Sequence, residues 1–202
     1  MIINQPVHVH AVVEGIIDEA VVKKLFAETG VQCGKIYPQH GVGNLLKKLP
    51  DYNQSAKHLP WFVVCDLDRK PCAPSLHHDM IRSFPGGQST GLRICIAVRA
   101  VEAWFMADRG PLARYLSIPQ GKIPARPEEV DDPKQTIVNL ARQSRSSVVK
   151  DAVVPSARSG RSVGPGYTAT IIEFVQDKWC PVRASKAAPS LARALARCRA
   201  LG

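Results

Sequence analysis

Short apolar runs alternate with amphipathic stretches along the first half of the chain. Four runs have the length of β-strands, at residues 7–13, 35–38, 61–65 and 93–98. Between the first two runs, Ile17, Val21 and Leu25 recur at four-residue spacing with charged residues between them, which predicts an amphipathic helix. Repetition of this alternation predicts an α/β fold with a mainly parallel, four-stranded, Rossmann-like sheet flanked by helices.

The second half of the chain has a different pattern. Residues 119–133 contain four prolines and predict a long irregular connection. Helical patterns follow at residues 134–143, 169–179 and 187–201. We therefore predict one compact domain made of an α/β core at residues 1–118 and an irregular linker with a C-terminal helical cap at residues 119–202.

Residues 144–167 are rich in serine, arginine and glycine. Arg158 and Arg161, with nearby glycines, fit a loop that contacts phosphate. A flexible surface connection explains the same composition. Both interpretations stay open at the level of sequence.

Composition is that of a folded protein without a membrane anchor. Of 202 residues, 45% are hydrophobic and 22% are charged, which is enough for one sizeable core. No apolar stretch approaches the about 20 residues that cross a bilayer, and residues 1–6 lack the features of a secretion signal. The six cysteines include no Cys-x-x-Cys pair, and free thiols fit a reducing compartment. We expect a cytoplasmic protein that does not bind membranes.

The net charge of +10 indicates which kind of partner the protein binds. A basic protein attracts polyanions, and nucleic acid is the polyanion that we expect here. The alternative is that the many arginines and alanines only follow from a GC-rich genome.

Three carboxylates follow predicted strands. Asp66 and Asp68 come directly after the apolar run that begins at Trp61, and Glu14-Gly15 follows the first run. Ligands of α/β sheets bind outside the carboxyl ends of the strands. In an extended backbone Asp66 and Asp68 project to the same side, where they suit a hard cation such as Mg²⁺.

Glu14 is a candidate general acid/base or metal ligand, and Gly15 a candidate for a sharp turn that also admits a bulky ligand. A simple polar turn is the alternative for this pair. If the strands are neighbours and parallel, all three carboxylates are expected to meet at one edge of the sheet.

This combination of motifs resembles the Toprim domain. That domain has an apolar strand ending in Glu-Gly and a later strand ending in Asp-x-Asp, and it occurs in topoisomerases, bacterial primases, RNA-maturation nucleases, recombination-repair proteins and OLD-type nucleases. The resemblance implies that Glu14 is the general acid/base and that Asp66 and Asp68 bind Mg²⁺ or Mn²⁺.

Further motifs are similar to a group of small Toprim-like proteins related to the OLD nucleases. They are Glu102-Ala103-Trp104-Phe105-Met106-Ala107-Asp108, Asp132-Pro133-Lys134, the segment from Gly164 to Tyr167, and Ser190-Leu191. OLD-type nucleases are thought to use two metals, so the resemblance makes Glu102 the candidate ligand of a second metal and Asp108 a weaker one. The alternatives are a surface acid at a helix start for Glu102, and a residue that closes the short helix for Asp108. Trp104, Phe105 and Met106 are expected in the core.

The chain also departs from the Toprim pattern. Many Toprim enzymes have Asp-x-Asp-x-x-Gly, whereas Asp68 is followed here by Arg69, Lys70 and Pro71. Arg69 and Lys70 are candidates for phosphate binding, with a solvated loop as the alternative. The Gly-x-x-x-x-Gly-Lys-Ser/Thr loop is absent from the sequence, so an ATPase would have to act in trans.

The predicted function is that of a Mg²⁺-dependent nuclease of Toprim/OLD type, a metal-binding hydrolase that cleaves DNA or RNA in phage defence. One alternative is a non-catalytic nucleic-acid-binding or regulatory partner of a separate ATPase. Another is a phosphoryl or nucleotidyl transferase that acts on a small molecule.

Overall fold

The computed structural model describes residues 7–201, so residues 1–6, on which the prediction about secretion partly rests, lie outside the described part. The chain divides into two compact units. Unit 1 is Met1–Ile96 with Arg193–Gly202, and unit 2 is Ala97–Ala192. The predicted domain ranges, 1–118 and 119–202, stay a prediction.

The secondary structure follows the predicted alternation in the first half of the chain. The strands are β1 (His8–Val13), β2 (Gln32–Pro38), β3 (Trp61–Asp66) and β4 (Leu92–Ala97). The helices that alternate with them are α1 (Ile16–Thr29), α2 (Val42–Ser55) and α3 (Ala73–Ile81). The later helices are α4 (Val101–Ala107), α5 (Arg109–Tyr115), α6 (Pro133–Arg142), α7 (Ser147–Val153), α8 (Tyr167–Asp177), α9 (Pro181–Ala184) and α10 (Pro189–Arg199). Two 3-10 turns, Gln120–Lys122 and Pro127–Glu129, interrupt the proline-rich connection.

The sheet is parallel throughout and has the strand order β2-β1-β3-β4. In this register Val12 of β1 lies opposite Tyr37 of β2 and Val63 of β3. From β1 the chain passes to β2 on one side of β1, and from β2 it crosses back to β3 on the other side of β1. The order therefore reverses between β1 and β3, which is where open α/β sheets bind their ligands. The predicted α/β class with a four-stranded parallel sheet is confirmed.

Unit 1 has an apolar core on both faces of the sheet. On one face α1 packs Phe26 edge-on against Phe62, with ring centroids 5.5 Å apart. On α2, Leu45 and Leu49 are buried, and Tyr52 lies 4.8 Å from the Trp61 ring. Apolar strands buried from both sides fix the backbone at the carboxyl edge, where the candidate residues begin.

Unit 2 is helical and is held together by buried aromatic side chains. Trp104, Phe105 and Met106 are fully buried, which confirms that they belong to the core. The Trp104 indole N–H donates to Ser190 Oγ at 2.7 Å, and the Trp179 indole N–H donates to the Trp104 carbonyl at 3.1 Å. These bonds satisfy the polar atoms that the two tryptophans bring into the core.

Residues 144–167 are more ordered than their composition suggests. They contain α7, which the sequence analysis did not predict. The helix starts at a capping serine, because Ser146 Oγ accepts a hydrogen bond from the backbone N–H of Val149 at 3.4 Å.

Across residues 7–201, none of the helices combines the length and the apolar character needed to span a bilayer.

Candidate active site at the carboxyl edge of the sheet

The ends of β1 and β3 meet at the point where the strand order reverses. Val13 lies opposite Val64, so Glu14 and Asp66 follow on adjacent strands. Glu14 Oε1 accepts a hydrogen bond from the backbone N–H of Asp66 at 2.9 Å. Since one carboxylate oxygen is fixed in this way, the Glu14 side chain is oriented along the strand ends.

A further acid, Asp18, lies beside this pair. Its Oδ2 accepts a hydrogen bond from the Gly15 backbone N–H at 2.8 Å, and its side chain is buried. Asp18 was not predicted as a site residue from the sequence, because an acid in the first turn of a helix is also a common helix-stabilising residue. The signal that could have identified it is its position one turn into the helix that follows Glu14.

From the sequence, Gly15 was expected to allow a sharp turn. The structure shows that this position does not require glycine. Its backbone is extended, with φ −149° and ψ −175°, and any residue adopts that conformation. A Cβ atom there would be 3.5 Å from Asp18 Oδ2, which is ordinary contact. Its predicted role in admitting a bulky ligand stays a prediction.

The acids make the end of β3 electronegative. Burial, and then the nearby carboxylates of Glu14, Asp66 and Asp18, raise the pKa of the Cys65 thiol well above its usual value. Three carboxylates therefore act on one buried atom at this strand end. A locally negative site in a protein with a net charge of +10 is a setting for a cation that bridges protein and polyanion.

Asp68 does not lie in the strand. β3 ends at Asp66, and Asp68 lies in the following turn with φ 50°, a left-handed conformation that aspartate tolerates. The premise that the backbone is extended through Asp68 is therefore wrong, and the expectation that both carboxylates project to the same side stays a prediction. Asp68 is exposed, and so are Arg69 and Lys70 beside it.

Gln39 is a second residue that the sequence analysis missed. Its backbone N–H donates to the Val13 carbonyl at 2.9 Å, and its Nε2 donates to the Tyr37 carbonyl at 3.0 Å. Its Oε1 is buried, and it has no hydrogen-bond partner among residues 7–201. Burial raises the pKa of Tyr52 on α2, and a side-chain hydrogen bond with Gln39 partly offsets this, so the Gln39 amide faces Tyr52 while its backbone lies next to the end of β1.

In unit 2, Glu102 is the centre of a polar cluster. The residue is only 1% exposed, so the alternative of a surface acid is wrong. Glu102 Oε1 accepts a hydrogen bond from the Tyr167 hydroxyl at 3.0 Å, and Lys134 Nζ lies 3.6 Å away. Tyr167 and Lys134 belong to two of the further motifs on which the resemblance rests, so three separate motifs meet at this carboxylate. Within residues 7–201 its Oε2 is buried without a hydrogen-bond partner.

Asp108 is engaged by a different set of groups. Arg183 binds both carboxylate oxygens, with Nη2 at 2.7 Å from Oδ2 and Nε on Oδ1. The Cys180 backbone N–H also donates to Oδ2 at 2.9 Å. The hydrogen bond to Asp108 raises the pKa of Arg183. These contacts favour the structural alternative for Asp108 over a metal ligand.

The described side chains do not form a ready-made metal cage. Among residues 7–201, no three His, Cys, Asp or Glu side chains are grouped so that they could hold a metal ion. Mg²⁺ is usually held by one or two carboxylates together with waters and substrate phosphates. The carboxylates at the strand ends are the oxygen donors that this ion prefers, and the metal roles of Asp66 and Asp68 stay predictions.

No family model, no curated protein and no solved structure matches the chain. The Toprim resemblance therefore rests on the motifs quoted above.

Proposed function

We propose that the protein hydrolyses phosphodiester bonds of nucleic acid with the help of a divalent cation, Mg²⁺ or Mn²⁺, at the carboxyl edge of the sheet. The observation that carries the proposal is the hydrogen bond from the Asp66 backbone to Glu14 Oε1, which joins two acid-bearing strand ends at the switch point.

Each acid has a distinct role in this proposal. Glu14 is the general acid/base, because the hydrogen bond from the Asp66 N–H holds its carboxylate in place for proton transfer. Asp66 and Asp68 are the cation ligands, because carboxylate oxygens are the donors that a hard divalent cation prefers. When bound, such a cation offsets charge on the scissile phosphate and acidifies a bound water.

The positive charge of the chain supports a polyanionic substrate. Arg69 and Lys70 directly follow Asp68 in the exposed turn, and the net charge is +10. Cations beside an acidic site position a phosphate backbone without reading its sequence.

Glu102 is part of the proposal as a ligand of a second cation. Its buried Oε2, unpartnered within residues 7–201, supports a ligand at that oxygen. Lys134 at 3.6 Å already offsets part of the charge on this carboxylate, so we expect weaker cation binding there than for an isolated acid.

A second candidate function is a non-catalytic nucleic-acid-binding subunit that works with a separate ATPase. The missing glycine of the Toprim pattern Asp-x-Asp-x-x-Gly, with Arg69, Lys70 and Pro71 after Asp68, favours it. A role in phage defence is compatible with both candidates, and it follows from the resemblance alone.

Cleavage of supercoiled plasmid, single-stranded DNA and RNA in Mg²⁺ or Mn²⁺ distinguishes the candidates. We expect cleavage by the wild type, and about 10²–10⁴-fold slower cleavage by Glu14→Gln, since general acid/base catalysis contributes that much. Glutamine still accepts the bond from the Asp66 N–H, so this variant keeps the local fold. Cleavage by Glu14→Gln and by Asp66→Asn at the rate of the wild type would refute the proposed mechanism. A folded wild type that binds but does not cleave these substrates would favour the non-catalytic candidate.

A further inference from the structure

The loop that follows α7 is a built structure. The Gly164 backbone N–H donates to the Val153 carbonyl at 2.9 Å, and the Gly166 backbone N–H donates to the Ala152 carbonyl at 2.8 Å. A Cβ atom on Gly164 would lie 2.4 Å from the Ala152 carbonyl oxygen, so this close approach requires glycine. The base of the loop is therefore tied to the last turn of α7.

The tip of the loop is closed by its own hydrogen bonds. Ser159 donates to the Ser156 carbonyl through its backbone N–H at 3.0 Å and through its hydroxyl at 2.8 Å. Gly160 has φ 63°, and the Arg161 N–H donates to Ser159 Oγ at 3.3 Å. This turn sets the direction in which the chain leaves toward Arg161.

Between the loop and α7 lies a cavity of about 480 Å³. Lys150 from α7 and Arg161 from the loop both line it, together with Asp151 and the apolar Val154 and Val163. A volume in the range of about 300–1,000 Å³ is typical of small-molecule sites and exceeds what a lone phosphate needs. The apolar lining suits the sugar and base of a nucleotide.

The charge of this region is strongly positive. Residues 144–167 contain four cations, Arg145, Lys150, Arg158 and Arg161, against the single acid Asp151. In the part of the chain that the structure describes, neither Lys150 nor Arg161 forms an ion pair with a carboxylate. Their charges are therefore available to an external anion.

We propose that this cavity binds one phosphodiester unit of a nucleic-acid strand. Lys150 and Arg161 hold the phosphate, and the attached nucleoside packs against Val154 and Val163. Arg145 and Arg158, near in sequence but not part of the lining, supply charge for neighbouring phosphates, which favours a polymer over a free nucleotide. The lining residues belong to unit 2 and the acids of the proposed hydrolysis to unit 1, and binding here does not require hydrolysis.

The test is fluorescence anisotropy with a labelled single-stranded oligonucleotide in EDTA, where cleavage cannot occur. The double variant Lys150→Ala/Arg161→Ala is compared with Lys122→Ala/Lys186→Ala, which removes two exposed cations of the same unit outside the cavity. We expect about 10-fold weaker binding for the cavity variant, and a salt slope that is smaller by roughly 0.7, since the two cations neutralise one phosphate of a single strand. Arg161→Lys keeps the charge and is expected to retain most of the affinity.

Thermal unfolding of both double variants checks that the fold is intact, because all four side chains are exposed. The proposal is overturned if the cavity variant binds like the wild type, or if both double variants lose affinity equally. It is also overturned if AMP displaces the oligonucleotide at the affinity of the polymer itself, which would make this a site for free nucleotides. If the wild type does not cleave nucleic acid but the cavity variant still binds more weakly than the wild type, the proposed hydrolysis is refuted and the binding site is supported.

Discussion

The pairing of Asp108 with Arg183 makes a prediction that separates a structural acid from a metal ligand. In Asp108→Asn the side chain keeps its size but loses its charge. Its amide nitrogen would face one of the two Arg183 donors, which now contact Oδ1 and Oδ2. The remaining oxygen can still accept the bond from the Cys180 N–H. The substitution therefore breaks the bidentate pair without emptying the site.

The size of the effect follows from the exposure of the two partners. Hydrogen bonds to charged groups contribute about 1.5–3 kcal/mol each, but the Arg183 side chain is 52% exposed and regains water when released. Asp108 is only 1% exposed, so water cannot replace the hydrogen bonds that its side chain loses. We expect a loss of about 2 kcal/mol in the free energy of unfolding, which lowers the Tm by roughly 4–8 °C for a chain of this length.

The assay is urea and thermal unfolding with and without saturating Mg²⁺. The matched control is Glu129→Gln, which breaks the exposed Arg126–Glu129 pair at 3.0 Å and is expected to cost less than about 1 kcal/mol. A structural role of Asp108 is contradicted if Asp108→Asn is as stable as the wild type. It also fails if the loss occurs only when Mg²⁺ is present, which would identify Asp108 as a cation ligand.

Three further predictions concern stability. Burial raises the pKa of Cys95 from 9.0 to about 12. Above pH 9.0 this thiol ionises in the unfolded chain but not in the folded one, so the free energy of unfolding falls by about 1.4 kcal/mol per pH unit up to the native pKa; below pH 9.0 the contribution of Cys95 is constant. Gly91→Ala would place a Cβ 2.1 Å from the Ala56 carbonyl oxygen, and we expect a loss of about 2 kcal/mol in urea unfolding. Ser190→Ala removes the acceptor of the Trp104 indole N–H, which costs about 1–3 kcal/mol in the same assay because the donor stays buried.

Each of these has its own control. A Cys95→Ala variant should lose stability less steeply above pH 9.0, and an unchanged slope would contradict the first prediction. Gly43 lies in α2 with nothing within 4 Å of a Cβ, so Gly43→Ala should be neutral or stabilising; equal effects at Gly91 and Gly43 would contradict the second. Ser190→Thr keeps the hydroxyl and should retain more stability than Ser190→Ala if the hydrogen bond is what matters.

The order of the elements could be predicted because the strands carry a strong local signal. The apolar runs that end at Val13 and Asp66 are buried on both faces, so their composition alone distinguishes them from loops. Other elements depend on tertiary contacts. Pro50 normally ends a helix, yet α2 continues to Ser55, and Tyr52 in this extension packs against Trp61. The helix α7 was missed because the serine-rich flanks hide a seven-residue helix.

The residues of the candidate site could be predicted only in part, because some of them come together only through tertiary contacts. Glu14 and Asp66 were found because they terminate strong strands, and parallel pairing then brings them together. Asp68 was misjudged because the residue at which a strand ends cannot be read to within one or two positions. Gln39 and Asp18 carry no motif, and only the three-dimensional arrangement places Asp18 beside the acids and the Gln39 backbone against the end of β1. Glu102 was recognised, but its burial by Tyr167 depends on a contact between residues 65 positions apart.

Cation binding at the strand ends is tested by a titration with Mn²⁺, followed by electron paramagnetic resonance of the free ion, on the wild type and on Asp66→Asn. The control is Asp79→Asn, an exposed acid of the same unit. We expect the wild type and Asp79→Asn to bind Mn²⁺ alike, and Asp66→Asn to bind it at least about 10-fold more weakly, because a ligand of a hard cation loses its charge. Mn²⁺ binding of unchanged strength in Asp66→Asn, or none in the wild type in the presence of an oligonucleotide, would contradict it.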